Sequence, residues 1–194
     1  RTLDFGLHIQ PSMLKAVLQE EIDSTTDADT IVLAYGLCSL AVLGLHSERA
    51  TLVVPRVDDC IAIFLGSREE YQRQARSQPG TYYLTKGWIE VGDTPFDEYE
   101  RMVEKFGAER ASHLMEIYLR HYTRLALIDT GQHDMERYRA YTQETARRFG
   151  LHFDEIQGST RLVEKMVGGP WDGDFVVVPP GRAIAYSDFL PPER

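Results

Sequence analysis

Thiols are scarce in this sequence: Cys38 and Cys60 are the only cysteines among 194 residues. Secreted disulfide scaffolds are far denser in cysteine, and a domain of this length does not depend on such a staple. Reduced thiols in a cytoplasmic setting are therefore expected. No apolar run approaches the ~20 residues that cross a bilayer. No signal peptide is visible, although the chain opens on Arg1 and not on Met. Positive charge is short as well. The formal net charge is −9, and Lys and Arg gather in nothing longer than pairs such as Arg147-Arg148. That disfavours binding to a bare phosphate backbone, so no nucleic-acid partner is expected. Familiar signatures are missing too. There is no GxGxxG or GxxxxGK[ST] to cradle phosphates, and neither GxSxG nor HExxH.

What is present is a chain able to fold. Its 43% hydrophobic and 26% charged content is neither disordered nor fibrous. Leu3 to His8 reads as a short opening strand, and Pro11 starts a helix to about Ile22 with Leu14, Val17, Leu18 and Ile22 on one face. Continuous apolar runs at Thr30–Ala34, Ala50–Pro55, Thr81–Leu84, Arg124–Ile128, Leu151–Gln157 and Asp174–Val178 read as strands. Between them lie helical patterns. Residues 38–45 form a short one; Cys60 to about Arg76 is a longer one, with Ile61, Phe64, Leu65 and Tyr71 inward and Arg68, Glu69 and Arg73 outward. Further helices are expected at Asp97–Phe106, Glu109–Tyr122, Met135–Phe149 and, capped by Ser159, to Val167. Strands alternate with helices almost throughout. The pattern predicts a single domain over 1–194, of the α/β class: a three-layer, Rossmann-like fold with a mostly parallel sheet and helices on both faces.

In such a sheet, neighbouring strands deliver their carboxyl ends to one crevice where ligands bind. Cys38 and Cys60 both stand where a strand ends and a helix begins, Cys38 after Tyr35-Gly36-Leu37 and Cys60 after Arg56-Val57-Asp58-Asp59. A helix N-terminus lends thiolate character, and Gly36 lets the backbone approach a ligand closely. Against that, cysteine often only packs, and acidic residues in a first turn often only stabilise it. If both thiolates bind metal, their softness favours zinc or an iron–sulfur centre, and a further ligand such as His133 has to contribute. Other strand ends add Thr85, Trp88 and Glu90, then Asp129, Thr130 and Gly131. Asp129 is a candidate for orienting substrate, or equally for a capping turn. His133 is the best placed of six histidines for ligation or proton transfer.

Several stretches resemble a known family, domain of unknown function 1638. They are Ala34-Tyr35-Gly36-Leu37-Cys38, Pro55-Arg56-Val57-Asp58-Asp59-Cys60, Phe64-Leu65-Gly66-Ser67-Arg68-Glu69, the run Gly80 to Glu90, Leu127-Ile128-Asp129-Thr130-Gly131, and Trp171-Asp172 through Phe175 to Gly181. The resemblance implies little settled chemistry. Its members often accompany corrinoid-dependent methyltransferase systems that demethylate methylamines or betaines, and they tend to carry an extra N-terminal strand with its own cysteine. It thus implies an accessory role in one-carbon metabolism, a corrinoid reached only through a partner protein, and a third thiolate upstream of Arg1.

The expected function is a metal- or cofactor-binding accessory protein whose site lies around Cys38 and Cys60. Tyr35, Gly36, Arg56, Thr85 and Gly131 are its candidate cofactor contacts, and Cys38, Cys60 and His133 its candidate metal ligands. A rival expectation is an enzyme acting on a small molecule, with Cys38 or Cys60 as thiolate nucleophile and Asp59, Asp129 or His133 moving protons. A third is a partner-binding module. No membrane partner is expected, and self-association is left open.

Overall fold

The computed structural model describes residues 1–4, 6–7, 10–37, 40–92 and 94–190. Cys38 and His8 thus lie outside the described residues. In chain order the elements are α1 (Pro11–Ser24), β1 (Thr30–Val32), β2 (Thr51–Pro55), α2 (Cys60–Leu65), α3 (Arg68–Ser77), β3 (Thr81–Leu84), α4 (Lys86–Val91), α5 (Pro95–Phe106), α6 (Ala108–Leu119), β4 (Arg124–Asp129), α7 (Glu136–Arg148), β5 (His152–Gln157), α8 (Arg161–Gly168) and β6 (Phe175–Val178), followed by a 3-10 helix at Tyr186–Phe189. The chain is a mixed α/β protein. Its packing divides into two compact units, residues 1–71 with 159–194, and residues 72–158.

The first unit is built on a sheet of order β1-β2-β6. β1 runs parallel to β2, with Ile31 opposite Leu52, whereas β6 runs antiparallel to it, with Leu52 opposite Val178 and Val54 opposite Val176. Strand side chains alternate between faces. Leu52, Val54, Val176 and Val178 therefore share one face, where they pack with Leu14, Leu18 and Ile22 of α1 and with Val42, Leu45, Ile184 and Phe189. Val53 and Phe175 point the other way, against Ala62 and Ile63 of α2 and Leu162 and Met166 of α8. An apolar strand run is what two covered faces require.

The second unit holds an all-parallel sheet of order β3-β4-β5, with Leu84 opposite Leu127 and Leu127 opposite Glu155. Leu84, Leu125 and Leu127 form one face, covered by Phe96 of α5, Met115 and Leu119 of α6, and Tyr138 and Ala146 of α7. The opposite face carries Arg124, 5% exposed, whose Nε donates to Thr81 Oγ1 at 2.8 Å and whose two terminal nitrogens donate to Asp154 and Gln74 at 2.8 and 3.0 Å. Thr94 opens α5 with a capping box, its hydroxyl accepting from Asp97 N while Asp97 answers Thr94 N.

The structure departs from the sequence-based expectations in several places. The short helix expected over residues 38–45 gives way, over the described residues 41–44, to turns, with Leu43 N bonded to Leu40 O and Leu45 N to Val42 O. The strands fall into two three-stranded sheets and not one, and β6 is antiparallel. The expected strand at Leu3–His8 is replaced, among the described residues, by a turn in which Asp4 Oδ1 accepts Gly6 N at 2.8 Å; a short acidic side chain competes there with strand pairing. The long helix from Cys60 is broken into α2 and α3. Gly66 ends α2 in the left-handed region at φ 85°, and Ser67 Oγ starts α3 by accepting Glu70 N. Finally, Lys86–Val91, to which the sequence pattern assigns no element, forms α4.

Candidate functional site

The two strands that lead to the cysteines are neighbours, and the loops that follow them touch. After β1, Leu37 N donates to Val57 O at 2.9 Å. Gly36 is buried just before it, and a methyl group at this position would stand 3.0 Å from Val57 Cγ2 and 3.1 Å from both Val57 O and the Asp59 carbonyl carbon. Two of those three atoms are backbone and cannot swing aside. Glycine is therefore needed for close approach between the Tyr35-Gly36-Leu37 segment and the Val57-Asp58-Asp59 turn. Tyr35 is half-buried, and burial pushes its hydroxyl pKa up.

Asp59 is the N-cap of α2. Its backbone is extended and Oδ1 accepts from Ile61 N at 2.9 Å and Ala62 N at 3.4 Å. Burial pushes the Asp59 carboxyl above its ordinary range, working against those two amides and a hydrogen bond from Tyr71. Cys60 is the first residue of α2 and half-buried. Asp58 is engaged differently: both its oxygens receive Arg68, from Nε at 3.3 Å and Nη2 at 3.0 Å. Arg56 uses its guanidinium on backbone carbonyls, donating to Asp188 O at 2.7 Å, Leu190 O at 3.1 Å and Phe175 O at 3.1 Å.

The remaining candidates belong to the second unit. Thr85 is buried and caps α4, its hydroxyl accepting Trp88 N at 3.4 Å. Asp129 Oδ1 accepts Gly131 N at 2.7 Å while its carbonyl accepts Gly158 N and Gln157 Nε2. Asp129-Thr130-Gly131 is thus a turn, with Gly131 at φ 74°. His133 is exposed. Tyr138 of α7 donates to Glu90 Oε1 at 2.6 Å, which lowers the glutamate's pKa and raises the tyrosine's. A cavity of about 290 Å³ in this unit is lined by Tyr99, Ser112, Met115, Glu116, Leu119, Arg148 and Phe149, none of them a sequence candidate.

The structure therefore places Tyr35, Gly36, Arg56, Asp59 and Cys60 in the first unit, on two loops that touch through Gly36, Val57 and Asp59, and holds Thr85, Asp129, Gly131 and His133 in the second. Two residues of the first group were missed. Arg68 reads as helix surface because the break at Gly66 is invisible to periodicity, and Tyr71 reads as core although its hydroxyl reaches Asp59. Among the described residues, no group of three or more His, Cys, Asp or Glu is arranged to hold a metal ion.

Residues 2–167 match the model of a family described as a protein of unknown function, DUF1638. The chain belongs to that family. The matched range takes in both cysteine loops and ends before Trp171-Asp172 and β6 of this DUF1638 chain. No curated protein and no solved structure matches it.

Proposed function

We propose that this DUF1638 chain is an accessory protein of corrinoid-linked one-carbon metabolism, serving methylamine or betaine demethylation and binding a metal or cofactor around Cys38 and Cys60. The observation that carries this is the contact of the two cysteine-bearing loops through Gly36, Val57 and Asp59. Parallel β1 and β2 send both loops to the same side of their sheet, the side on which α/β proteins bind ligands. The three-layer, Rossmann-like arrangement and the cytoplasmic setting belong to the same proposal.

The donors beside Cys60 decide between its two versions. Asp58 is occupied by Arg68, and Asp59 by the α2 amides and Tyr71. Neither is placed to complete a tetrahedral set, so the described residues do not fit a resident zinc ion or iron–sulfur cluster. The better supported version is a thiol site that meets a cofactor carried by a partner protein. A second reading draws on the raised Asp59 carboxyl next to Cys60: an enzyme with Cys60 as thiolate nucleophile and Asp59 handling the proton.

One set of samples separates these readings: anaerobically purified wild type and its Cys38→Ser and Cys60→Ser variants. Retention on an immobilised corrinoid-loaded carrier protein, lost in both variants, is the expected result. Wild-type protein that retains neither carrier nor added zinc or iron by elemental analysis would sink the accessory reading. Rapid alkylation of Cys60, titrating below the ordinary thiol range, would favour the enzyme instead.

A further inference from the structure

We propose that Arg56, backed by Arg68, is a binding site for an oxyanion, a carboxylate or phosphate group, and that the chain's own carbonyls at residues 188–190 occupy it until the ligand arrives. This deepens the reading of the cysteine loops by naming the chemistry of the ligand's charged end. Arg56 Nη1 donates to the carbonyls of Asp188 and Leu190, and Arg68 Nη1 to that of Phe189 at 3.1 Å between them. Two guanidinium groups thus converge on three successive carbonyl oxygens at the end of the 3-10 helix.

Capping a helix end is the plain role of such contacts. Charge balance separates Arg56 from that role. Arg68 is neutralised by both oxygens of Asp58. Arg56 has no carboxylate partner among the described residues, and its Nε is buried without a hydrogen bond. The one acid on the covering segment, Asp188, turns both oxygens to Arg182 at 3.0 Å and accepts Ala185 N. A half-buried cation faced, among the described residues, only with neutral carbonyls is poorly compensated. A guanidinium paired with a carboxylate or phosphate makes charge-assisted hydrogen bonds, which are stronger than those to neutral carbonyls. An oxyanion on Arg56 therefore takes the places of Asp188 O and Leu190 O, and the segment moves off. Phe189, 3% exposed in the core, returns it when the ligand leaves. The ligand's anionic end would lie on the loop that runs through Asp58 and Asp59 to Cys60.

Hydrogen exchange on the full chain tests this, because Asp188 N and Leu190 N are bonded to Ala185 O and Ser187 O. Inorganic phosphate and acetate are added separately, with chloride at equal ionic strength as control. The expected result is faster exchange at both amides with at least one oxyanion and no change with chloride; the more effective anion names the class. In Arg56→Gln the response disappears, and in Arg56→Lys, which keeps the charge but on a compact ammonium group set differently from Nη1, the anion concentration needed rises about tenfold. No response beyond that of chloride, or an undiminished response in either variant, overturns the site. Cys38→Ser and Cys60→Ser are expected to keep the response, so a failure of the thiol reading leaves this result standing on its own.

Discussion

Arg124 and Arg56 stand at opposite ends of strands in different units, and they are satisfied in opposite ways. Arg124 opens β4 and meets three side chains, one of them the carboxylate of Asp154. Arg56 follows β2 and, among the described residues, meets only main-chain carbonyls, with one nitrogen left over. The neighbouring acids are satisfied by side chains in both units, so the contrast lies in the two arginines. In the second unit, Glu90 is matched by Tyr138, and Glu155 by both arms of Arg139 at 2.6 Å. In the first, Asp58 is likewise held by both arms of Arg68, while Asp59 is shared between two α2 amides and Tyr71. Side-chain networks of the first kind fix a structure. Contacts to a chain segment can be exchanged for a ligand, which is why the loop after β2 is the better candidate for function.

The largest expected effect tests that contrast directly. Arg124→Met takes a buried donor away from the side-chain oxygens of Thr81 and Gln74 and leaves Asp154 to water, since Asp154 is 42% exposed. The cost is about 2–4 kcal/mol, read as a lower urea midpoint. Arg56→Met frees the carbonyls of buried Phe175, half-buried Asp188 and exposed Leu190 and is expected to cost less, about 1 kcal/mol. Equal losses would break the distinction between a structural and a ligand-facing arginine.

Much of this scaffold was legible in the sequence, for a physical reason. Runs such as Leu52-Val53-Val54 and Leu125-Ala126-Leu127 are buried on both faces, so they read as covered strands without any knowledge of partners. What decides pairing is non-local. Nothing in Phe175-Val176-Val177-Val178 says that it runs antiparallel to β2, and nothing in Gly66 says that a methyl group there would stand 2.5 Å from Ser159 Cβ and so favour a break. At the candidate site, residue types were legible and their employment was not. Arg56, expected to face a ligand, holds residues 188 and 190; Thr85, expected at the crevice, caps α4; and Asp129, expected either to orient substrate or to form a capping turn, forms the turn.

A smaller effect comes from two glycines that allow close backbone approach, one in each unit. A methyl group at Gly36 meets Val57 and Asp59 backbone at 3.1 Å, and one at Gly80 meets His121 O at 2.7 Å. Each Gly→Ala substitution is expected to cost about 1–3 kcal/mol through overpacking. They differ in what else changes. Gly36→Ala pushes the two cysteine loops apart and is expected to alter the alkylation rate of Cys60 with iodoacetamide, whereas Gly80→Ala leaves that rate as in wild type. A rate that moves equally in both would detach Gly36 from the thiol site.

The smallest effect is a difference in sign. Burial raises the Asp59 carboxyl in the folded chain, so the folded state holds that proton more tightly than the unfolded one. Its contribution is complete below the ordinary aspartate range and is lost as pH rises through the raised value, leaving the charged form carried at a cost at neutral pH. Asp59→Asn removes the charge and keeps a side-chain oxygen for the α2 amides. At neutral pH it is expected to match or exceed wild type, by up to about 1 kcal/mol, with the advantage vanishing in acid. Glu155 moves the other way, because Arg139 beside it lowers its pKa. That contribution is present above the ordinary glutamate range and is lost as pH falls through the lowered value, so Glu155→Gln should be less stable than wild type at neutral pH and approach it in acid. Urea midpoints for both variants across the acid range give the two slopes. If the Asn variant shows the same slope as the Gln variant, the charged Asp59 carboxylate is the favoured form, and the loop before Cys60 is matched as internally as the second unit.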